Sequence, residues 1–295
     1  MRILHIDSGR EMRGGQWQVL YLLQGLRLLG HHVRLMARRT SELWRLATDA
    51  GLDIGPLTWT SGRGFDLVHA HDARAHTFSL FMGGAPLVVA RRVAFPVRQS
   101  LASRFKYQRK AHFIAVSRHV EKELLAAGVQ SERISVVYDG VPIGGSANAA
   151  RSGVLALDSP DPLKGKALIE EAARIAGVDV RFSAHLPQDL TTAAVFVYIT
   201  ESEGLGSAVL LAMAAETPVI ASREGGLPEA IEDEVCGLLT ANDPRAIADA
   251  IRKLLEDREL ASRLAAEGRR RVEATFSVDR MVQETVRVYE KVLTC

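Results

Sequence analysis

Two glycine-bearing turns in the second half of this 295-residue chain carry the residue types that hold an anion. In the first, Glu203, Gly204, Leu205, Gly206 and Ser207 join a strand-like run, Val195 to Thr200, to an apolar helix-like run ending near Ala215. Glycine lets the backbone approach a ligand closely. The N–H groups of Gly206, Ser207 and Ala208, at a helix start, would face a negative charge with the helix dipole behind them. Glu203, beside such a site, can accept hydrogen bonds from sugar hydroxyls. A plain strand–helix turn with Ser207 as N-cap accounts for the same residues about equally well. The second turn, Gly225-Gly226-Leu-Pro-Glu229, follows strand Pro218 to Ala221 and would complete a crevice for phosphate and sugar beside the first. Lys164, in Pro162-Leu-Lys-Gly165, also follows a strand. It is either a point charge for a diphosphate or an exposed lysine at a helix start.

The first half offers different chemistry. Gly14 and Gly15 lie between the first strand and the first helix, but no full G-x-G-x-x-G is present, which argues against a nicotinamide dinucleotide site. His69 and His71 share one strand face by alternation, with His71 nearer the strand end. His71 can bond a substrate hydroxyl or carbonyl, and His69 reads as a packing histidine. Two histidines without a third ligand do not make a metal site, so no metal is expected. No acidic residue occurs between Ala73 and Val120, a stretch with nine basic residues, among them Arg91, Arg92 and Arg98, and with Phe95, Phe105 and Tyr107. It reads either as a solvated face or as a surface for an anionic acceptor or an anionic membrane. Nucleic acid is disfavoured, because the second half is acidic and lacks a nucleic-acid motif.

Strand-like and helix-like runs alternate along the chain and position these residues. The strands expected in the first half are Arg2–Ile6, His32–Met36, Asp66–Ala70, Leu87–Ala90, Phe113–Val116 and Ile134–Val137. The pattern breaks over Tyr138 to Ser152 and restarts at Val154. Such alternation predicts an α/β chain with two doubly wound, Rossmann-like domains. They would cover 1–143 and 144–277, with ligands at the C-terminal ends of the strands. Net charge is +2 overall. Residues 1–143 hold 20 Lys and Arg against 11 Asp and Glu, and the rest hold 17 against 24, so the halves carry +9 and −7. Two distant cysteines, Cys236 and Cys295, exclude a disulfide framework or zinc-finger spacing. The apolar run Met1 to Ile6 is too short for a signal peptide, and Ala193 to Ile199 is far short of a membrane span. A cytoplasmic protein is expected, with peripheral contact at the inner membrane face.

These features together resemble the family 4 glycosyltransferases, which are retaining enzymes of GT-B fold whose two Rossmann-like domains face across a cleft. The resemblance runs nearly end to end. It rests on the opening βαβ unit with its Gly-Gly loop, on "FDLVHAHD", on "IAVSRHVEKELLAAGVQSERISVVYDGV" and above all on "ESEGLGSAVLLAMAAETPVIASREGGLPEAI". The final "FSVDRMVQETVRVYEKVL" is similar to the helix that crosses back onto the first domain, here 278–295. The resemblance implies a nucleotide-sugar donor as substrate, no cofactor and no metal. It places Gly14 and Gly15 near the donor diphosphate and the acceptor, and His71 at the transferred sugar. Lys164 would bind the diphosphate and Glu203 the sugar hydroxyls, with the Gly206 and Ser207 N–H groups near sugar and phosphates. The acceptor would be a cell-envelope glycan or a lipid-linked molecule. Three departures stand out. Leu211 replaces the family's second carboxylate, which holds the ribose. Asp158 or Ser159 stands near the position of a usual arginine. About one βα unit is missing between Lys164 and Glu203. They keep two alternatives open: a non-catalytic GT-B protein binding a glycan or a partner, and a nucleotide-sugar epimerase.

Overall fold

The computed structural model describes residues 1–58, 62–97, 100–144 and 151–294. Its contacts divide the chain into two units, Met1–Asp139 with Val278–Cys295, and Gly140–Ser277. The break expected after residue 143 thus falls after 139.

The first unit runs β1 (Arg2–Ile6), α1 (Gly14–Leu28), β2 (His32–Ala37), α2 (Glu42–Asp49), β3 (Asp53–Pro56), β4 (Leu67–Ala70), α3 (Ala73–Ser79), β5 (Leu87–Arg91), α4 (Leu101–Gln108), β6 (His112–Ala115), α5 (Arg118–Ala126) and β7 (Ile134–Val136). All seven strands are parallel, in the order β3-β2-β1-β4-β5-β6-β7. Parallel strands are covered on both faces and so read as apolar runs. Every residue of β4 is buried, His69 included.

The second unit runs β8 (Ser152–Leu157), α6 (Lys166–Ala176), β9 (Val180–Ser183), α7 (Leu186–Asp189), β10 (Ala193–Tyr198), α8 (Ser207–Ala214), β11 (Val219–Ser222), α9 (Leu227–Ala230), β12 (Leu238–Thr240), α10 (Pro244–Glu256) and α11 (Arg258–Thr275). Its parallel sheet has the order β12-β11-β10-β8-β9. The start of α10 follows the expected chemistry. Asp243 accepts from the N–H groups of Arg245 (3.0 Å) and Ala246 (2.9 Å), and Pro244 occupies the first helical position.

The closing helix, α12 (Val278–Thr294), belongs to the first unit. Met281, Val282, Val288 and Tyr289 share a core with Leu22, Leu23 and Leu26 of α1. The contact is close because Gly25 has no side chain: a Cβ there would lie 2.5 Å from Val282 Cγ2. Burial of this apolar stripe, rather than intrinsic propensity, holds such a helix in place. The sequence pattern does not reveal the short elements β3, α7, α9 and β12, the first three of which each contain a proline. Among the described residues, no helix is long and apolar enough to cross a membrane.

Both sheets reverse direction once. Chain order turns between β1 and β4 in the first unit and between β8 and β10 in the second. At such points the loops beyond the strand ends diverge and leave room for a ligand. The chemistry-bearing residues gather there in each unit.

Candidate functional site

In the second unit, Lys164 follows β8 and Glu203 follows β10, the two strands that flank the reversal. Lys164 Nζ donates to Glu203 Oε2 at 2.6 Å and to the Tyr198 hydroxyl at 2.7 Å. The Tyr198 hydroxyl in turn donates to Glu203 Oε2 at 2.5 Å. Burial, then the Glu203 carboxylate, holds the Tyr198 hydroxyl well above its ordinary range, so it stays a neutral donor. The lysine and glutamate side chains are 20% and 16% exposed, so the pair sits at a half-open edge. Glu203 Oε1 accepts from the Gly204 N–H at 3.0 Å, which fixes the carboxylate plane. Sequence reasoning missed Tyr198: a tyrosine closing an apolar strand looks like core until its hydroxyl is seen between two charges.

Beside this triad, α8 opens without a side-chain cap. Gly206 occupies the N-cap position at φ +98°. Only glycine tolerates that conformation without strain. The first N–H groups of a helix have no intrahelical acceptor, so those of Ser207 and Ala208 can meet an anion. The Ser207 N-cap alternative is corrected: the cap is Gly206. The Leu205 side chain turns into the core, so only its backbone serves a ligand.

The second glycine turn adjoins the first. It packs backbone to backbone on the first: a Cβ on Gly225 would lie 2.1 Å from the Glu203 carbonyl oxygen, and one on Gly226 2.0 Å from that of Gly204. The Gly226 N–H donates to the Glu203 carbonyl at 3.0 Å. Its role is to brace the Glu203 loop. Asp158, which with Ser159 stands near the position of the family's usual arginine, pairs with Lys166 at 3.3 Å. Leu211 lies half-buried on the apolar helix α8 and brings no charge to it.

In the first unit, β1 and β4 pair in register with His5 opposite His69, and the His71 N–H donates to the Ile6 carbonyl at 2.9 Å. His5 Nδ1 and His71 Nε2 are 2.9 Å apart, in rings 8° from coplanar. The His69 and His71 rings lie 4.0 Å apart, and His69 Nδ1 is 2.6 Å from the Tyr289 hydroxyl of α12. Burial holds all three imidazoles neutral; His5 is pushed down to about 3, and His69 and His71 lie well below their ordinary value. Asp72 locks the neighbouring loops. Its carboxylate accepts from the Ser8 N–H and hydroxyl and caps α3 through the N–H groups of Arg74 and Ala75. The absence of a third ligand, the ground for expecting no metal, is thereby corrected. His5, hidden in a strand 66 residues away, completes a cluster whose ligand atoms lie within 4.8 Å of one another. His69 is only half satisfied, since its Nε2 has no partner.

Gly14 and Gly15 open α1, and a Cβ on Gly15 would meet Arg92 Cδ at 3.8 Å. The predicted anionic surface is corrected at two of its three arginines. Arg92 Nε donates to Asp139 Oδ1 at 2.9 Å in a buried ion pair. Arg91 donates to the Tyr107 hydroxyl at 2.8 Å and to the Phe95 carbonyl. Both are engaged within the unit, Arg92 by a partner 47 residues away. Arg98 lies outside the described residues. What remains exposed nearby is aromatic and basic: Phe81, Phe95 and Phe105, with the Arg109 guanidinium 4.6 Å from the Phe105 ring centroid.

Two family models match the chain. "Glycosyltransferase Family 4" covers residues 12–144 and "Glycosyl transferases group 1" covers 159–271. An alpha-maltose-1-phosphate synthase of Mycolicibacterium smegmatis is 38% identical over 35% of this chain and 28% of its own length. A D-inositol 3-phosphate glycosyltransferase of Frankia alni is 35% identical over 50% of this chain and 35% of its own. The chain therefore spans about a third of the length of these curated relatives. Among solved structures, Anabaena HepE in complex with UDP-glucose matches 99% of this chain and 100% of its own, with TM-score 0.84 and 17% identity. The matched regions, with two Rossmann-like units of GT-B type, show that the chain belongs to the group 1, family 4 glycosyltransferases.

Proposed function

We propose that this chain moves a sugar, with retention of configuration, from a nucleotide-diphosphate donor to a cell-envelope glycan or lipid-linked acceptor. The observation that carries this reading is the Lys164–Tyr198–Glu203 triad beside the uncapped start of α8. A diphosphate there competes with Glu203 for Lys164, and the freed carboxylate turns to the sugar hydroxyls. As the bond between the anomeric carbon and the phosphate oxygen breaks, the departing diphosphate gains charge. The Lys164 ammonium and the α8 N–H groups stabilise that charge without a metal. The acceptor oxygen bonds to the anomeric carbon on the same face, and its proton passes to the leaving phosphate oxygen. His71 keeps the role the family resemblance assigns it, a contact with the transferred sugar. The bound UDP-glucose of the Anabaena neighbour and the named activities of the relatives support a nucleotide-sugar donor. An acceptor at the membrane suits the exposed Phe105 beside Arg109.

Leu211 favours a second reading, a non-catalytic member that binds a glycan or partner. Calorimetric titration with UDP, GDP, ADP and CMP, without added metal, separates the two. Binding of one nucleotide that is lost in Glu203→Ala and Lys164→Met supports the donor site. Absence of any binding sinks it.

A further inference from the structure

We propose that His5 is the positioning residue of His71: it donates a hydrogen bond from its Nδ1–H to His71 Nε2 and so fixes His71 as the Nδ1–H tautomer. His71 then meets a ligand as a hydrogen-bond donor and cannot act as a general base. The two nitrogens are 2.9 Å apart, the ring centroids 5.2 Å apart and the ring planes 8° from parallel. The rings therefore meet edge to edge, with the N–H of one along the in-plane lone pair of the other. Burial holds both imidazoles neutral, so each carries one proton. Which nitrogen carries it is set by the hydrogen bond at the other.

Two arrangements fit that count. If His5 donates, His71 keeps Nδ1–H and His5 Nε2 a bare lone pair. If His71 donates, His5 keeps Nε2–H and His71 Nδ1 the lone pair. Neither outer nitrogen has a partner among the described residues. In the backbone a buried orphan N–H is rarer than an under-used acceptor, and the same desolvation cost bears on a ring N–H. His5 is wholly buried within β1, whereas His71, 6% exposed, follows β4 at the sheet reversal where ligands bind. The first arrangement sets the unpaired N–H at that reversal and leaves only a lone pair in the core. His69 steadies the pair: its ring lies 4.0 Å from that of His71, and its Nδ1 is 2.6 Å from the Tyr289 hydroxyl of α12. With Nε2 engaged and Nδ1 protonated, His71 has no lone pair to take the acceptor's proton. Its N–H suits a sugar hydroxyl oxygen. The tautomer stands on the first unit alone, and only its use toward a sugar rests on the proposed transfer.

The test uses the full chain labelled with 15N at histidine and long-range 1H–15N correlation, which reads the tautomer of each imidazole. His71→Asn identifies the His71 signals by their loss. We expect wild-type His71 as the neutral Nδ1–H tautomer. His5→Phe keeps a buried ring and should convert His71 to the Nε2–H tautomer that free histidine prefers. His5→Asn, whose amide can donate from the place of Nδ1, should keep the Nδ1–H form, with circular dichroism confirming each fold. His71 as Nε2–H in wild type, or still as Nδ1–H in folded His5→Phe, would overturn the assignment. If His5→Phe does not fold, the wild-type tautomer and its retention in His5→Asn decide. Titration with UDP-glucose, the ligand of the Anabaena neighbour, should then shift the His71 signals. Binding that leaves them unmoved would remove the sugar contact. No binding at all would count against the transfer and leave the tautomer standing.

Discussion

Lys164 and Glu203, 39 residues apart and following different strands, meet at 2.6 Å with Tyr198 bonded to both. Tyr198→Phe keeps the buried ring and removes only the hydroxyl. It should cost about 1.5–3 kcal/mol, the range for a hydrogen bond to a charged group. Denaturant melts of wild type and variant check this, and an unchanged midpoint would show that the hydroxyl contributes nothing.

Lys164→Met should weaken nucleotide-diphosphate binding by roughly 10- to 100-fold, the loss of one or two charge-assisted bonds. The nucleoside without phosphates should bind both proteins equally, a comparison that calorimetry makes directly.

The Arg92–Asp139 pair is largely buried, with side chains 16% and 12% exposed. Removing Arg92 takes this ion-pair partner from a carboxylate that is largely buried. Arg92→Met should therefore destabilise the first unit by about 3–5 kcal/mol. The double variant Arg92→Met/Asp139→Leu should recover part of that loss, measured by urea unfolding.

Gly226→Ala sets a Cβ against the Gly204 carbonyl at 2.0 Å, backbone on backbone, and has no flexible side chain to move aside. The second unit should lose about 1–3 kcal/mol or more, with loss of nucleotide binding as the Glu203 loop shifts. Gly144→Ala, with open space around it, should be neutral, both variants being compared by urea unfolding.

Burial holds His76 down to about 3 and His112 to about 4. Both belong to the first unit. Unfolded, each titrates near 6.5, so between that pH and 3 to 4 the unfolded chain binds more protons. Stability from these sites is thus fully present above about pH 6.5 and falls as pH drops through the window. All three tryptophans, at 17, 44 and 59, lie in this unit's sequence. Tryptophan fluorescence should therefore report acid unfolding that His76→Phe shifts to lower pH.

If the exposed aromatic and basic residues meet a membrane, the chain should cosediment with anionic vesicles and release as salt rises. Phe105→Ser should weaken that association several-fold. Equal binding to neutral vesicles would remove the electrostatic part of the idea.

The alternation of apolar strands and helices, the two glycine turns and the closing amphipathic helix were legible because periodicity and turn chemistry are local properties. They specify which residues face inward and where the chain reverses. Glu203, Lys164 and His71 could be singled out for the same reason: each follows a strand. The partners of these residues could not. His5 looks like one more member of a buried strand until β1 and β4 pair in register beneath His69. Tyr289 lies 220 residues from His69, and Asp139 lies 47 from Arg92. Whether an arginine serves a ligand or a buried aspartate, and whether two histidines gain a third, depends on strand order and register. Only chain packing decides these, since side-chain pairing across a sheet leaves no period in the sequence.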